Sequence, residues 1–402
     1  MPTILTLNAG SSSLKLAVFQ VGDEGCHPKL HVEGQWSGLG TNPEFSAKAH
    51  NRQPLIESMP DVAPVDPREA LSSILNWLEK SGIDLADLVA TSHRIVHGGS
   101  AFCAPCRVDD AVVGAMNRLK ELAPLHVPYG LGVLEELRHR LPGIAHFACF
   151  DTAFHTVQPD IATRLPLPQE FHDKGYRRYG FHGLNYEHIV EVLPIITATA
   201  IPPRLLVFHL GNGASIAAIR DERCIASTMG FTPLDGLVMG TRCGSIDPGV
   251  LLALMRYEGF DGPALEMLLN KQSGLLALSG YTSDMRTLLS ASDEASKRAV
   301  AHFCYWAARH AGSLIAALGG LDAIVFTGGI GENAAPVRAA IIEQLHWLGI
   351  QLDGRRNAAN ELCLSAEGSQ VSVWRISANE ELTLARHAAR GLIEAQPRAE
   401  LT

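Results

Sequence analysis

The sequence predicts an α/β fold built as two similar domains, and three observations carry that expectation. The chain has 402 residues, more than one hydrophobic core ordinarily spans. Apolar runs of strand length alternate along it with segments of helical periodicity. Finally, residues 4–19 (ILTLNAGSSSLKLAVF) and 205–219 (LLVFHLGNGASIAAI) echo each other. Each is an apolar run, a turn of small residues and a second apolar run, the pattern of a β-hairpin whose tip is nearly pure backbone. Gly211 and Gly213 have no Cβ to hold a ligand off, so amide N–H groups at such a tip can face an anion. One hairpin opening each half predicts a duplicated architecture with two phosphate-sized cradles.

The remaining elements follow in order. A polar, strand-like region extends from the first hairpin to about residue 60. The Pro-rich DVAPVDP leads into a helix over 68–81, where Ala70, Leu71, Ile74, Leu75 and Leu78 form an apolar stripe. Residues 88–96 read as a buried strand ending at His97-Gly98-Gly99. Helices over 109–122 and 129–141 are stopped by Pro124 and Pro142, and a strand over 144–150 delivers Asp151 and His155. Folds of this class place chemistry at the carboxyl ends of strands, where Arg94, His97, Asp151 and His155 sit. For His97 and His155 a purely structural role is preferred.

Residues 156–204 read as a Pro- and aromatic-rich connection containing YRRYGFHG at 176–183, a run costly to keep merely as a linker. Residues 227–249 carry almost no secondary-structure signal, and a loop that long within a compact domain is usually functional. Its Arg242, between Gly240 and Gly244, can enter a cleft at little steric cost. Helices dominate 250–319, interrupted at 279–286. A strand over 323–327 runs into GGIGEN and a helix from about Pro336. A last strand over 371–376 reaches Asn379-Glu380-Glu381 and a closing helix over 382–395.

Composition excludes several function classes. The formal charge of −9 argues against nucleic acid or an anionic membrane as the main partner, since either demands a basic face. The opening MPTILTLNAG lacks a charged n-region and a long apolar h-region, so no signal peptide is expected. Residues 303–326, the most apolar later stretch, carry Arg309, His310 and several glycines and read as a buried helix running into a strand. Eight scattered cysteines fit a reducing compartment, and a cytoplasmic location is expected. Cys103 and Cys106 lie in a Pro-containing loop with no second ligand pair, which disfavours a zinc or redox role.

Walker, H-E-x-x-H and G-x-S-x-G motifs are all missing from the sequence. Gly329-x-Gly331-x-x-Ala334, with Asp353 about twenty residues on, imitates a dinucleotide fingerprint. Glu332 inside its turn repels a pyrophosphate, however, and the motif begins too late for a full dinucleotide domain to follow. A nucleotide kinase with a split phosphate site explains more. It needs two backbone cradles, an acid for Mg²⁺ and cations around a moving phosphoryl group. Those are the two hairpins, Asp151 with Glu380, and Arg94, Arg242 and His182.

At this point the motifs taken together resemble the acetate kinase (acetokinase) family, within the actin-like superfamily of acetate and sugar kinases. The residues that carry the resemblance are NAGSSSLK (8–15), HRIVHGG (93–99), LAPLH (122–126), FDTAFH (150–155), RYGFHG (178–183), HLGNG (209–213), MGFTPL (229–234), MGTR (239–242), GIGEN (329–333) and NEE (379–381). They run in the family's order from residue 3 to about 390.

The resemblance implies two actin-like (ribonuclease H-like) domains with a duplicated βββαβαβα core and an interdomain active-site cleft. The expected domains are residues 1–151 with 381–402, and residues 152–380. It also implies ATP/ADP and Mg²⁺ (with Mn²⁺ able to substitute) as cofactors, acetate as acceptor, and a homodimer. Carried over by position, Asn8 and Glu380 resemble the metal site, Lys15 an ATP contact and Arg94 the holder of the acetate carboxylate. Asp151 resembles the essential acid, and His182 and Arg242 the stabilisers of the transferring phosphoryl group, with His126 assisting. His209, Leu210, Gly211, Asn212 and Gly213 match nucleotide-binding segments, as do Asp284, Met285 and Arg286, and Gly329, Ile330, Gly331, Glu332 and Asn333. Val96, Leu125, Phe181 and Pro233 match the small apolar pocket for the acyl methyl.

The chain departs from the family pattern at several places. Val127 follows His126 where Asn is usual, and Leu184-Asn185-Tyr186 replaces the common Thr-Ser-His after the GFHG run. Ala226 stands near a commonly acidic position, and Cys243 and Ser245 follow Arg242 where Ser and Asp are usual. An activated Cys243 thiol beside Arg242 is conceivable, although a small loop-filling residue is the simpler reading. The expected activity is phosphoryl transfer from ATP to acetate. The alternatives are a propionate or other short-chain acyl kinase, and a non-catalytic actin-like nucleotide-binding protein. Val96 narrows the pocket and leans toward acetate, but one methylene is worth only ~1–3 kcal/mol.

Overall fold

The computed structural model describes residues 1–22, 27–49, 64–121 and 127–395. It divides into two compact units, Met1–Ala153 with Asn379–Thr402, and Phe154–Ala378. Glu380 therefore belongs to the first unit.

In the first unit, β1 (Thr3–Ala9), β2 (Ser13–Gln20), β3 (Lys29–Ser37) and β4 (Glu44–Ala49) form an antiparallel meander. After α1 (Pro67–Lys80), β5 (Leu88–Ile95) pairs parallel to β1. Then come the two-residue β6 (Cys106–Arg107), α2 (Asp110–Arg118), α3 (Val127–Arg140) and β7 (Ala145–Phe150), parallel to β5. The sheet order is β4-β3-β2-β1-β5-β7-β6. Strand alternation decides what each face meets. Leu5, Leu7, Leu14, Leu16 and Val18 point to one face and pack with α1 and α3. Ile4, Ala90, Ala145 and Phe147 point to the other and meet Ala388 and Ala389 of the C-terminal helix Glu380–Glu394. By the same alternation, Asn8, Arg94 and Asp151 end their strands on the face that helix covers.

The second unit opens with α4 (Asp160–Thr163), α5 (Gln169–Asp173) and α6 (Gly183–Thr197). The strands β8 (Arg204–Leu210), β9 (Ala214–Arg220) and β10 (Arg223–Ser227) form an antiparallel meander. Four helices follow, α7 (Pro248–Tyr257), α8 (Gly262–Lys271), α9 (Gly274–Ser279) and α10 (Met285–Ser290), and then the long α11 (Glu294–Leu318). The chain continues through β11 (Ala323–Thr327), α12 (Gly328–Asn333), α13 (Ala335–Glu343), α14 (Gly354–Ala358) and β12 (Ser372–Arg375). The sheet order is β10-β9-β8-β11-β12, with β11 parallel to both β8 and β12. With β4 and β6 set aside as additions, β3-β2-β1-β5-β7 and β10-β9-β8-β11-β12 are the same 3-2-1-4-5 arrangement, so the duplication seen in the hairpins extends to the topology.

Both hairpins form. Ala9 pairs with Leu14 around a turn closed by Gly10 N–H donating to Ser13 O (2.9 Å). Leu210 pairs with Ala214 around a tighter turn closed by Gly211 N–H donating to Gly213 O (3.0 Å). The main difference from the sequence reading lies in 156–204, where α6 runs for 15 residues with Pro194 inside it. That proline hides the helical signal because it removes a backbone donor from the helix interior. The segment 328–333, read as a glycine turn, is itself a short helix. The closing helix starts at Glu380, two residues early, because the Asn379 side chain caps it by accepting from Leu382 N–H (3.0 Å). Among the described residues no helix is long and apolar enough to cross a membrane, and 303–326 is the end of α11 running into β11.

Candidate active site

In the first unit the carboxyl ends of β1, β5 and β7 bring four predicted residues into one hydrogen-bonded cluster. Asp151, 1% exposed, receives both edges of the Arg94 guanidinium: Nε donates to Oδ1 (2.8 Å) and Nη2 to Oδ2 (2.6 Å). Arg94 Nη1 donates to Asn8 Oδ1 (3.0 Å) and lies 3.3 Å from Glu380 Oε2. Asn8 Nδ2 donates to the same Glu380 oxygen (3.0 Å). Burial works against the Arg94 charge, but Asp151 and then Glu380 outweigh it and push its pKa up, so the guanidinium is permanently ionised. Lys15 stands opposite Asn8 on β2 and is exposed. Glu381 lies within its field. Burial raises the Glu381 carboxyl pKa, the Lys15 charge opposes the rise and Glu380 adds to it. Val96, just past β5, is partly exposed. Leu125 and His126 lie outside the described residues.

The donor set suits a hard divalent cation. A hard cation that keeps waters and completes its shell with substrate phosphates needs only one or two protein oxygens, such as the Glu380 carboxylate and the Asn8 amide. Among the described residues no group of three His, Cys, Asp or Glu side chains stands where it could hold a metal.

The second unit gathers a different set. His182 precedes α6 in a left-handed conformation (φ 58°), a strained setting for a residue with a Cβ. Its imidazole stacks on that of His209 with centroids 4.0 Å apart and 15° between planes. Arg242 Nη1 donates to Pro233 O (3.2 Å), which ties the cation to its own loop. The tip of the β8–β9 hairpin lies against both: a Cβ on Gly213 would be 3.4 Å from His182 Nε2 and 3.6 Å from Arg242 Nη1. Asn212 O accepts from Gly240 N–H (3.0 Å), which pins the tip to the Arg242 loop. Phe181 and Pro233 are buried, as is Leu210 at the end of β8.

The other predicted nucleotide segments occupy separate elements. Asp284 caps α10, accepting from Arg286 N–H (2.9 Å), and pairs with the exposed Arg286 side chain (2.9 Å), which pulls its pKa down, while Met285 is buried. In α12, which begins directly after β11, Glu332 Oε1 accepts from Gly328 N–H (3.0 Å) and Ala378 N–H (2.9 Å). The carboxylate thus takes the amide a pyrophosphate would use, the physical reason the dinucleotide reading fails. Asn333 Nδ2 donates back to Gly329 O (2.9 Å), while Ile330 and Gly331 complete the turn between them.

Several supporting residues escaped the sequence reading. Ser215 and Tyr186 form a hydroxyl chain onto His182, and Asn185 Nδ2 contacts His209 Nδ1 (2.8 Å). The only signal was that Asn185 and Tyr186 depart from the family pattern. Arg338, fully buried, donates to Gly331 O (2.8 Å) and Glu332 O (2.9 Å) and so holds the carboxyl end of α12. Arg178 pairs with Asp235 (2.9 Å) and donates to Thr228 O (2.9 Å), lashing the RYGFHG loop to the Arg242 loop. The bland reading of His155 holds, since it is buried between Phe181 O (2.9 Å) and Cys224 Sγ (3.1 Å). Burial raises the Cys243 thiol pKa, so the activated-cysteine idea is withdrawn.

Comparisons with known proteins agree along the chain. A family model described as the Acetokinase family matches residues 3–386. An acetate kinase of Rhodopseudomonas palustris (strain TIE-1) is 43% identical over 96% of this chain and 98% of its own length. One of Nitrobacter hamburgensis is 40% identical over 98% and 97%. Among solved structures, a propionate kinase from Francisella tularensis matches with a TM-score of 0.87 at 33% identity, covering 96% of this chain and 99% of that one. Porphyromonas gingivalis acetate kinase matches with a TM-score of 0.86 at 31% identity, covering 98% and 100%.

Proposed function

The chain belongs to the acetokinase family, and from that premise we propose that it catalyses reversible, metal-dependent transfer of the ATP γ-phosphoryl group to acetate, giving acetyl phosphate and ADP. The observation that carries this reading is the match to acetate kinases over nearly the whole length of both chains. The geometry of each unit supports it.

Acetate presents a carboxylate oxygen in line with the γ-phosphorus, and two anions must approach each other. Arg94 meets the acceptor's charge. Nε and Nη2 are held by Asp151, and Nη1 is turned toward the Asn8 and Glu380 oxygens. Asp151 fixes the orientation of that fork. Glu380 and Asn8 would hold a bound Mg²⁺, which would supply neutralising charge for the phosphate oxygens. Arg242 and His182 meet charge developing on the equatorial oxygens of the moving group, and the Gly213 tip offers backbone where a side chain would intrude. Lys15, His126 and the 209–213, 284–286 and 329–333 segments contact the nucleotide or assist transfer. Val96, Leu125, Phe181 and Pro233 surround the acyl methyl.

A propionate-preferring enzyme is the second reading, favoured by the similarity to the Francisella protein. A cytoplasmic homodimer completes the proposal. Helix α7 buries none of its side chains while exposing Leu252 (56%) and Met255 (50%) one turn apart, a face a second copy would cover. The deciding experiment is a hydroxamate assay for acyl phosphate with ATP, Mg²⁺ and acetate, propionate or butyrate in parallel. Product with acetate in clear excess supports the proposal; product with none supports the non-catalytic alternative.

A further inference from the structure

His182 is held from behind by two hydroxyls that no sequence motif pointed to. Its Nδ1 lies 2.8 Å from Ser215 Oγ, and Ser215 Oγ in turn lies within hydrogen-bond distance of the Tyr186 hydroxyl. Tyr186 sits in the first turn of α6 and Ser215 on β9; both are fully buried. Burial pushes the Tyr186 pKa up, so the phenol keeps its proton.

The direction of the proton chain follows from counting hydrogens. Among the described residues, Ser215 Oγ is the hydrogen-bond partner of the Tyr186 hydroxyl. A buried O–H needs an acceptor, so Tyr186 donates to Ser215. Ser215 has one hydrogen, and with its oxygen accepting from Tyr186 that hydrogen is directed at His182 Nδ1. The reverse order, with Nδ1–H donating to Ser215 and Ser215 to Tyr186, would leave the phenol hydrogen buried with nothing to receive it. Nδ1 is therefore an acceptor, and the ring proton of a neutral imidazole is on Nε2. Nε2 is the nitrogen that approaches the Gly213 tip, 3.4 Å from where a Cβ would stand.

We propose that Tyr186 and Ser215 are positioning residues that hold His182 as the neutral Nε2–H tautomer, an uncharged hydrogen-bond donor aimed at the hairpin tip. This deepens the kinase reading and rests on it for the purpose of the donor, which is to meet an oxygen of the transferring phosphoryl group. Of the ionisable groups around the ring, His209 is stacked on it and Arg242 lies across Gly213. Neither contacts Nδ1 through the hydroxyl chain. A hydrogen on Nδ1 would reverse the chain and strand the phenol hydrogen.

The test reads the tautomer in the full-length protein without substrate. Histidine side chains labelled with ¹³C and ¹⁵N report it by NMR, and the His182 signal is the one that His182→Asn removes. The expected result at pH 7 is Nε2–H in the native protein and a mixture of tautomers in Tyr186→Phe, which keeps the buried ring. In the acyl phosphate assay Tyr186→Phe should lose roughly three- to tenfold in kcat, the scale of one hydrogen bond, with the KM for ATP within about twofold. Ser215→Ala should shift the tautomer in the same direction. Nδ1–H or imidazolium in the native protein overturns the inference, and so does an unchanged His182 signal in both variants. If Tyr186→Phe does not fold, the native tautomer and Ser215→Ala decide. If no carboxylic acid is phosphorylated but the native ring is Nε2–H and responds to both variants, the kinase reading fails and the positioning device stands.

Discussion

Arg94 and Asp151 share two parallel hydrogen bonds across the carboxyl ends of neighbouring parallel strands, at 2.8 and 2.6 Å. A guanidinium held along one whole edge cannot swing, and its third nitrogen is fixed in turn against Asn8 Oδ1 and Glu380 Oε2. Lysine keeps the charge but not the fork, which makes Arg94→Lys the informative substitution. It offers the buried Asp151 one donor where Arg94 offers two. Turnover is expected to fall by about two orders of magnitude, with a stability loss of about 1–3 kcal/mol. Acyl phosphate assays and urea unfolding of the same preparation check both, and near-normal turnover would remove Arg94 from the proposed chemistry.

Arg242→Ala separates binding from transfer. The residue comes from the 228–247 loop, and its contact with Pro233 O lies in a loop rather than in a core. The variant should fold, bind ATP within about threefold of the native protein and produce no detectable acetyl phosphate, since a positioned arginine of this kind is worth about 10³–10⁵ in rate. Calorimetric titration with nucleotide and the hydroxamate assay are the two readings. Loss of both together would assign Arg242 to binding.

Two buried histidines set an acid limit. Burial holds His93 at a pKa of about 3, with His146 adding to the fall, and His155 at about 4. Both lie below the ordinary histidine value, so between that value and the folded one the unfolded chain binds more protons and stability falls as pH falls. Each group should cost its own unit about 2 kcal/mol between pH 7 and pH 5. Urea unfolding at the two pH values measures the loss. His155→Gln, which keeps a donor for Phe181 O, should flatten the dependence of the second unit; an unchanged slope would assign the acid loss to other groups.

The first unit was legible because its strands are plain. Leu5, Leu7, Leu14 and Leu16 announce both the strands and their inward face, and Asn8, Arg94 and Asp151 follow from where those strands end. Reading α6 as linker had a definite cause, since Pro194 and the Gly183 start mask a helix stabilised by packing of Tyr186, Ile189 and Leu193 on β8 and β9. The supporting contacts were illegible for a different reason. Ser215 and Tyr186 meet across 29 residues, and Arg338 reaches side-chain and backbone partners 6 to 22 residues away in other elements, pairings that the periodicity of one segment does not encode. Glu332 was correctly seen as hostile to a pyrophosphate, but that it caps its own helix emerged only from the geometry.

Gly213→Ala tests the hairpin tip with which the duplication was first noticed. Its backbone is not in the left-handed region, and the added methyl would make only ordinary contacts, 3.4 Å from His182 Nε2 and 3.6 Å from Arg242 Nη1. The fold should therefore tolerate it, with a stability change within about 1 kcal/mol. The methyl nevertheless occupies the gap that the proposed phosphoryl group needs, between a histidine donor and an arginine cation. kcat/KM for ATP is expected to fall by about ten- to a hundredfold, the cost of displacing a transferring group from its donors. Gly262→Ala is the control, because nothing lies within 4 Å of its added Cβ. Equal kinetics for the two variants would mean that the gap beside His182 and Arg242 is not where phosphate sits, and both residues would need other roles.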